Sequence, residues 1–115
     1  MSPDTPIYDK AQALARLDND ESLFTELMEL FVAESESYCQ ALEAALNSGD
    51  AANLRREAHT VKSLLATFSY EAGRELAMRL EHLAATGTLD GAEALTAEVV
   101  VAVRKLSAVF SGEAA

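Results

Sequence analysis

His59 and Lys62 stand three residues apart in the run Arg55-Arg56-Glu57-Ala58-His59-Thr60-Val61-Lys62-Ser63. On a helix that spacing puts an ammonium within side-chain reach of any group bonded to the imidazole. A neutral imidazole is a competent nucleophile near neutral pH, because its ordinary pKa is about 6.5. A phosphoryl group taken up by the ring brings negative charge with it, which a nearby cation offsets. Arg55 and Arg56 add weaker, screened support or guide an acidic partner into place. No general base is evident beside the ring, and a nitrogen already lacking a proton requires none.

The helix that must hold these residues is readable from its apolar spacing. Leu54, Ala58, Val61, Leu65 and Phe68 recur at intervals of four and three and fall within roughly 80° of one another on a helical wheel. His59 lies about 140° from the centre of that stripe and should face water. Ala52, Arg55, Lys62, Ser63 and Ala66 share its side. Ser63, Ala66 and Ala52 are small, so a partner surface can approach the imidazole closely. Leu64, about 80° off the stripe, is a candidate for an apolar docking rim. An exposed helical histidine is ordinarily only a solvated side chain; the small outer face and the cationic surroundings set this one apart.

The other reactive side chains are less well placed. His82 has Glu81 before it and Ala85 three residues on, so a phosphoryl group there would meet repulsion and no cation. Cys39 has no adjacent cation to lower its pKa and reads as a packing residue. Two His and one Cys at these separations make no zinc pattern. Phe24, Phe31, Phe68 and Phe110 read as core.

Composition narrows the function classes. The 115 residues suffice for a single domain over 1–115 with one core, with residues 1–7 and 111–115 expected to be loose. Ala, Leu and Glu dominate, a helical bias. The net charge of −10 argues against general affinity for nucleic acid or anionic lipid. That charge is uneven: residues 1–50 hold eleven Asp and Glu against Lys10 and Arg16, whereas residues 55–79 hold five of the nine basic residues and three acids. A locally cationic strip therefore surrounds His59. The single cysteine excludes an intramolecular disulfide. No apolar stretch approaches the roughly 18–20 residues that span a bilayer, and the start lacks a cationic signal region. A reducing cytoplasm is the expected location.

Five helices account for the periodicity. A short one is expected from about Asp9 to Leu17, with Ala11, Leu14 and Leu17 inward. Asp18-Asn19-Asp20-Glu21 breaks it and caps a long second helix to about Leu46, with Leu23, Leu27, Leu30, Phe31, Tyr38, Leu42 and Leu46 inward. Gly49 and Asp50 stop that helix and start the third. Ser69-Tyr70-Glu71 turns into a fourth, with Leu76, Leu80 and Leu83 inward and Gly87 at its end. The fifth is expected to begin near Asp90, with Glu93 as capping-box partner, and to bury Leu95, Val99, Val103, Leu106 and Phe110. Short loops between long helices predict an all-α, up-and-down antiparallel four-helix bundle with a short additional N-terminal helix.

These residues carry a family resemblance. Ala58-His59-Thr60-Val61-Lys62-Ser63 resembles the Ala-His-Thr-Leu-Lys-Gly signature of histidine-containing phosphotransfer (HPt) domains. The similarity extends to Leu23 to Phe31, to Gly49-Asp50 and to Leu80-Glu81 with Gly87. It implies a monomeric bundle acting as a phosphorelay intermediate of two-component signalling. His59 would accept a phosphoryl group from a receiver-domain aspartyl phosphate and pass it to another receiver. Response-regulator receiver domains and a hybrid histidine kinase are the implied partners, with no nucleic acid and no membrane among them. Lys62 would support the phosphoryl group, and the small residue after it would admit the receiver. Ser63 stands where the family usually has glycine, Thr67 where Asn is frequent, and Ser69 where Gly is frequent. Ser63 is small enough to preserve docking, and its hydroxyl would offer a hydrogen bond to phosphoryl oxygens.

Two other classes compete. A noncatalytic helical adaptor would bind a receiver or histidine kinase through the same face, but has no chemical need of Lys62. The phosphoacceptor part of a sensor kinase typically has an acid after its His and then a Pro, whereas Thr60 follows His59 and no Pro occurs after Pro6. There is no Gly-rich nucleotide segment, so a phosphocarrier without autonomous kinase activity is expected. No metal or other cofactor is expected on this chain, and Mg would be supplied with the receiver domain.

Overall fold

The computed structural model describes residues 6–114, with side chains through Gly112. It is all-helical: α1 (Lys10–Arg16), α2 (Glu21–Asn47), α3 (Ala51–Thr67), α4 (Glu71–Ala85) and α5 (Ala92–Ala114). The acidic breakers act as caps. Asp9, Asp20 and Asp50 each accept the backbone amide three residues on, at 2.9–3.0 Å, which satisfies one of the amides a helix start leaves open. Gly49 takes a φ of +72°, letting the Asp50 amide reach back to the Ala45 carbonyl as α2 ends.

The long helices form a closed ring of neighbours, with α2 against α3, α3 against α4, α4 against α5 and α5 back against α2; α3 and α4 share the most extensive packing. Tyr8, Phe24, Phe31, Phe68 and Phe110 gather where α3 ends, with Phe68 edge-on to Phe110 at 4.8 Å between centroids. Each such ring stabilises the fold by about 1.5–3 kcal/mol through burial. This plug fixes the C-terminal end of the helix that carries His59.

All five stripe residues of α3 are buried. The inner face of α2 differs from expectation. Leu23 and Leu30 are exposed, the latter 55 %, while Phe24, Met28, Ser35 and Cys39 are buried. The helix is turned because its polar members find partners inside. Ser35 Oγ donates to the Val32 carbonyl and pairs with Ser107 Oγ, and the Cys39 thiol donates to the Val100 carbonyl. In α4 the buried positions are Gly73, Ala77, Leu80 and Ala84, with Leu76 and Leu83 at the margin. In α1 Ala13 is buried and Ala11 exposed.

The start of α5 is a second correction. The helix begins at Ala92, and Gly91 adopts a φ of +82° between Asp90 and the first turn. The expected pairing of Asp90 with Glu93 as a capping box needs both in a continuous helix start, which Gly91 prevents. Instead the Thr88 hydroxyl accepts the Asp90 amide. α5 runs helically through 111–114, the end expected to loosen, and Ser111 Oγ donates to the Ser107 carbonyl there. Residues 1–5 and 115, which the expected loose termini include, lie outside the described residues. Among the described residues no helix is long and apolar enough to cross a membrane.

Candidate functional site

Close approach of α3 and α4 builds the site. Gly73, on the buried side of α4, leaves no room for a side chain, because a Cβ there would meet the Tyr70 ring at 2.8 Å and a Leu65 methyl at 2.9 Å. Two turns further along α4, Glu81 arrives beside His59 and Lys62. One carboxylate then bridges both. Glu81 Oε2 lies 2.9 Å from His59 Nδ1, and Oε1 lies 2.6 Å from Lys62 Nζ.

The electrostatics follow from that bridge. Lys62, and to a lesser degree His59, hold the Glu81 carboxyl below the usual carboxylate range, although its partial burial acts the other way. An ionised carboxylate only accepts hydrogen bonds, so the proton of a neutral His59 ring sits on Nδ1 and the lone pair on Nε2. The His59 side chain is 58 % exposed against 13 % for Glu81. The ring whose Nε2 holds the lone pair is therefore open while the carboxylate hydrogen-bonded to its Nδ1 is shielded.

A cleft of ≈ 400 Å³ opens beside the ring, lined by Ala52, Arg55, Arg56, His59 and Glu81. Ser63 is exposed, and Leu64, Ala66 and Lys62 are partly exposed; Leu64 also packs against the core. The structure thus brings Arg55, Arg56 and Lys62 around His59. It also adds Glu81, which the spacing around His59 did not reveal. The reading of an imidazole with no general base evident beside it is corrected, since the Glu81 carboxylate sits on α4 and reaches the ring across the helix interface. Its signal was present in Leu80-Glu81, read as part of the family resemblance and as an unfavourable neighbour of His82 but not as a partner of His59. His82 is exposed near the end of α4, and among the described residues its side chain has no hydrogen bond or ion pair.

Among the described residues no group of three or more His, Cys, Asp or Glu gathers as a metal site. Cys39 is fully buried, and burial raises its thiol pKa, the opposite of what a reactive thiol needs.

Comparison with known proteins bears on the family and the fold. The family model for the Hpt domain matches residues 26–110. The fold is similar to the crystal structure of histidine-containing phosphotransfer protein B from Pseudomonas aeruginosa PAO1, with a TM-score of 0.84, 28% identity and 95% of each chain covered. It is also similar to the HPT domain of a sensor hybrid histidine kinase from Shewanella, with a TM-score of 0.81 over 92% of each chain. At 13% identity that second likeness concerns the fold alone. Among curated proteins none matches the chain.

Proposed function

The chain belongs to the Hpt domain family, and we propose that His59 is the side chain through which it carries a phosphoryl group. The family role is histidine phosphotransfer in two-component phosphorelay, where Hpt domains work with receiver domains and histidine kinases. The observation that carries the assignment to His59 is the Glu81 bridge, which presents Nε2 to solvent with its lone pair and engages Nδ1. His82 lacks any such arrangement.

The transfer is a displacement at phosphorus. The Nε2 lone pair attacks the phosphorus of an aspartyl phosphate on a receiver. The bond from phosphorus to the carboxylate oxygen breaks, and the electron pair leaves with the carboxylate. Nδ1 keeps its proton, so the ring gains positive charge as the N–P bond forms, and Glu81 offsets that charge at 2.9 Å. Lys62 balances Glu81 and supports the phosphoryl group from that side. The reverse step delivers the group to another receiver, so no proton need be lost or gained by the ring in a full cycle.

Docking is assigned to the surface around the ring. Arg55, Arg56, Ser63, Leu64 and Ala66 present charge, small side chains and an apolar edge. We read the ring of helices as an up-and-down antiparallel bundle, because its connections are short, and propose that it acts as a monomer. The divalent cation of the reaction is assigned to the receiver, since both Glu81 oxygens are already engaged. A hybrid histidine kinase is the proposed source of one such receiver.

Mixing the protein with a phosphorylated receiver domain tests the assignment. The parent should gain acid-labile, alkali-stable phosphate and His59→Gln should gain none. Equal labelling of both would remove the site from His59. Binding without labelling of the parent would favour the adaptor.

A further inference from the structure

The charged groups around His59 carry an excess of positive charge, three cations to one carboxylate. Lys62 is the cation that spacing alone assigns to the phosphoryl group, yet its ammonium is 2.6 Å from a carboxylate oxygen of Glu81 and is largely neutralised there. The arginines behave differently. Arg16, Arg74, Arg79 and Arg104 all donate hydrogen bonds to side chains. Arg55 and Arg56 alone among the described arginines make no side-chain hydrogen bond or ion pair, and both line the cleft beside the imidazole.

Direction along the helix agrees with this placement. Long helical side chains lean toward the N-terminus, so the His59 ring lies over the turn that holds Arg56 at i−3 and Arg55 at i−4. Ala52, one turn further back, leaves the floor of the cleft open. A phosphoryl dianion bonded to Nε2 therefore meets two uncommitted guanidiniums, whose planar forks suit tetrahedral oxyanions. Two positive charges meet two negative ones.

Building on the reading of His59 as phosphoryl carrier, we propose that Arg55 and Arg56 form a guanidinium clamp that holds the phosphoryl group on His59. Lys62 then acts chiefly as the counter-charge of Glu81. The clamp belongs to this chain and works without a receiver, which separates it from a docking role. The charged groups at the ring are Arg55, Arg56 and Lys62 from α3 and Glu81 from α4.

The test uses the whole chain in a His82→Gln background, phosphorylated by phosphoramidate with no receiver present. Nε2 attacks phosphorus, the reagent's P–N bond breaks, and ammonia leaves with the electron pair. Phosphorus NMR then follows the phosphohistidine resonance with pH. The midpoint of that titration should lie higher by about half a unit or more in Arg55→Ala/Arg56→Ala than in the parent, because two cations disfavour proton uptake by the phosphohistidine. Arg55→Lys/Arg56→Lys should restore most of the difference, and Lys62→Ala should move the midpoint less than the double alanine variant. Both arginines are exposed, so thermal melting should show the variants folded. A double alanine variant that titrates with the parent, or a larger shift from Lys62→Ala, overturns the clamp. A phosphohistidine resonance that survives His59→Gln, or fails to form in the parent, would instead overturn the assignment to His59.

Discussion

Two carboxylates bridge neighbouring helices, and they do different things. Glu36 on α2 takes Arg104 of α5 in a two-pronged grip, with both contacts at 2.9 Å. That grip lowers the Glu36 carboxyl pKa, and both side chains remain more than half exposed. Glu81 on α4 instead gives one oxygen to Lys62 and the other to His59 and is largely shielded. As an ion pair the first has the better geometry. An exposed pair, however, contributes little and only clasps two helices, whereas the divided carboxylate fixes which nitrogen of an imidazole carries the proton. Its value is chemical as well as structural.

That contrast can be broken by substitution. Glu81→Ala should slow phosphoryl uptake from a phosphorylated receiver on the order of 10- to 100-fold, because the ring loses its tautomer and aim. Glu36→Ala should leave the rate unchanged. A time course of labelling compares them, and equal effects would erase the distinction. Glu81→Gln, which keeps an acceptor but no charge, should fall between.

The geometry behind the difference is the close contact of α3 and α4. Gly73→Ala forces the Tyr70 ring and Leu65 to move, and overpacking should outweigh the gain in helix propensity by about 1 kcal/mol. Urea unfolding measures it, and unchanged stability would mean the interface has slack. Titration sharpens the contrast further. A depressed Glu81 pKa in the folded state means that its contribution is present above the ordinary carboxylate range and is lost as pH falls through the folded value. The melting-temperature gap between the parent and Glu81→Gln should thus stay level from neutral pH to about pH 5 and close only in more acid solution. A gap that closes near neutrality would contradict the bridge. The smallest effect lies in the core of α5, where the Thr96 hydroxyl is buried without a partner among the described residues. Thr96→Val should stabilise the protein, by up to about 1 kcal/mol.

The same contrast explains what could be read from the chain. The face of α3 was legible because its polar and apolar residues separate cleanly around the helix, which settled both the core and the exposure of His59. The face of α2 was not. Its leucines spread over an arc wider than one buried stripe, and Ser35 and Cys39 take inner places that only their partners on α5 and the local backbone make acceptable. The family's frequent glycine at the position of Ser69 also acquires a reason: Ser69 adopts a φ of +56°, where glycine is favoured. Here its hydroxyl accepts a hydrogen bond from Arg16. Glu81 stayed hidden as a partner of His59 because 22 residues separate them, and the register between two packed helices is not written in either one. Arg55 and Arg56 were visible as charge but not as the arginines left unpaired.

Mapping the phosphoryl group after transfer from a receiver is the most direct test of the central claim. Fragment mass spectrometry under alkaline conditions should place a single phosphoryl group on the peptide containing His59 and none on that containing His82. A phosphoryl group on His82, or on no histidine at all, would contradict the account.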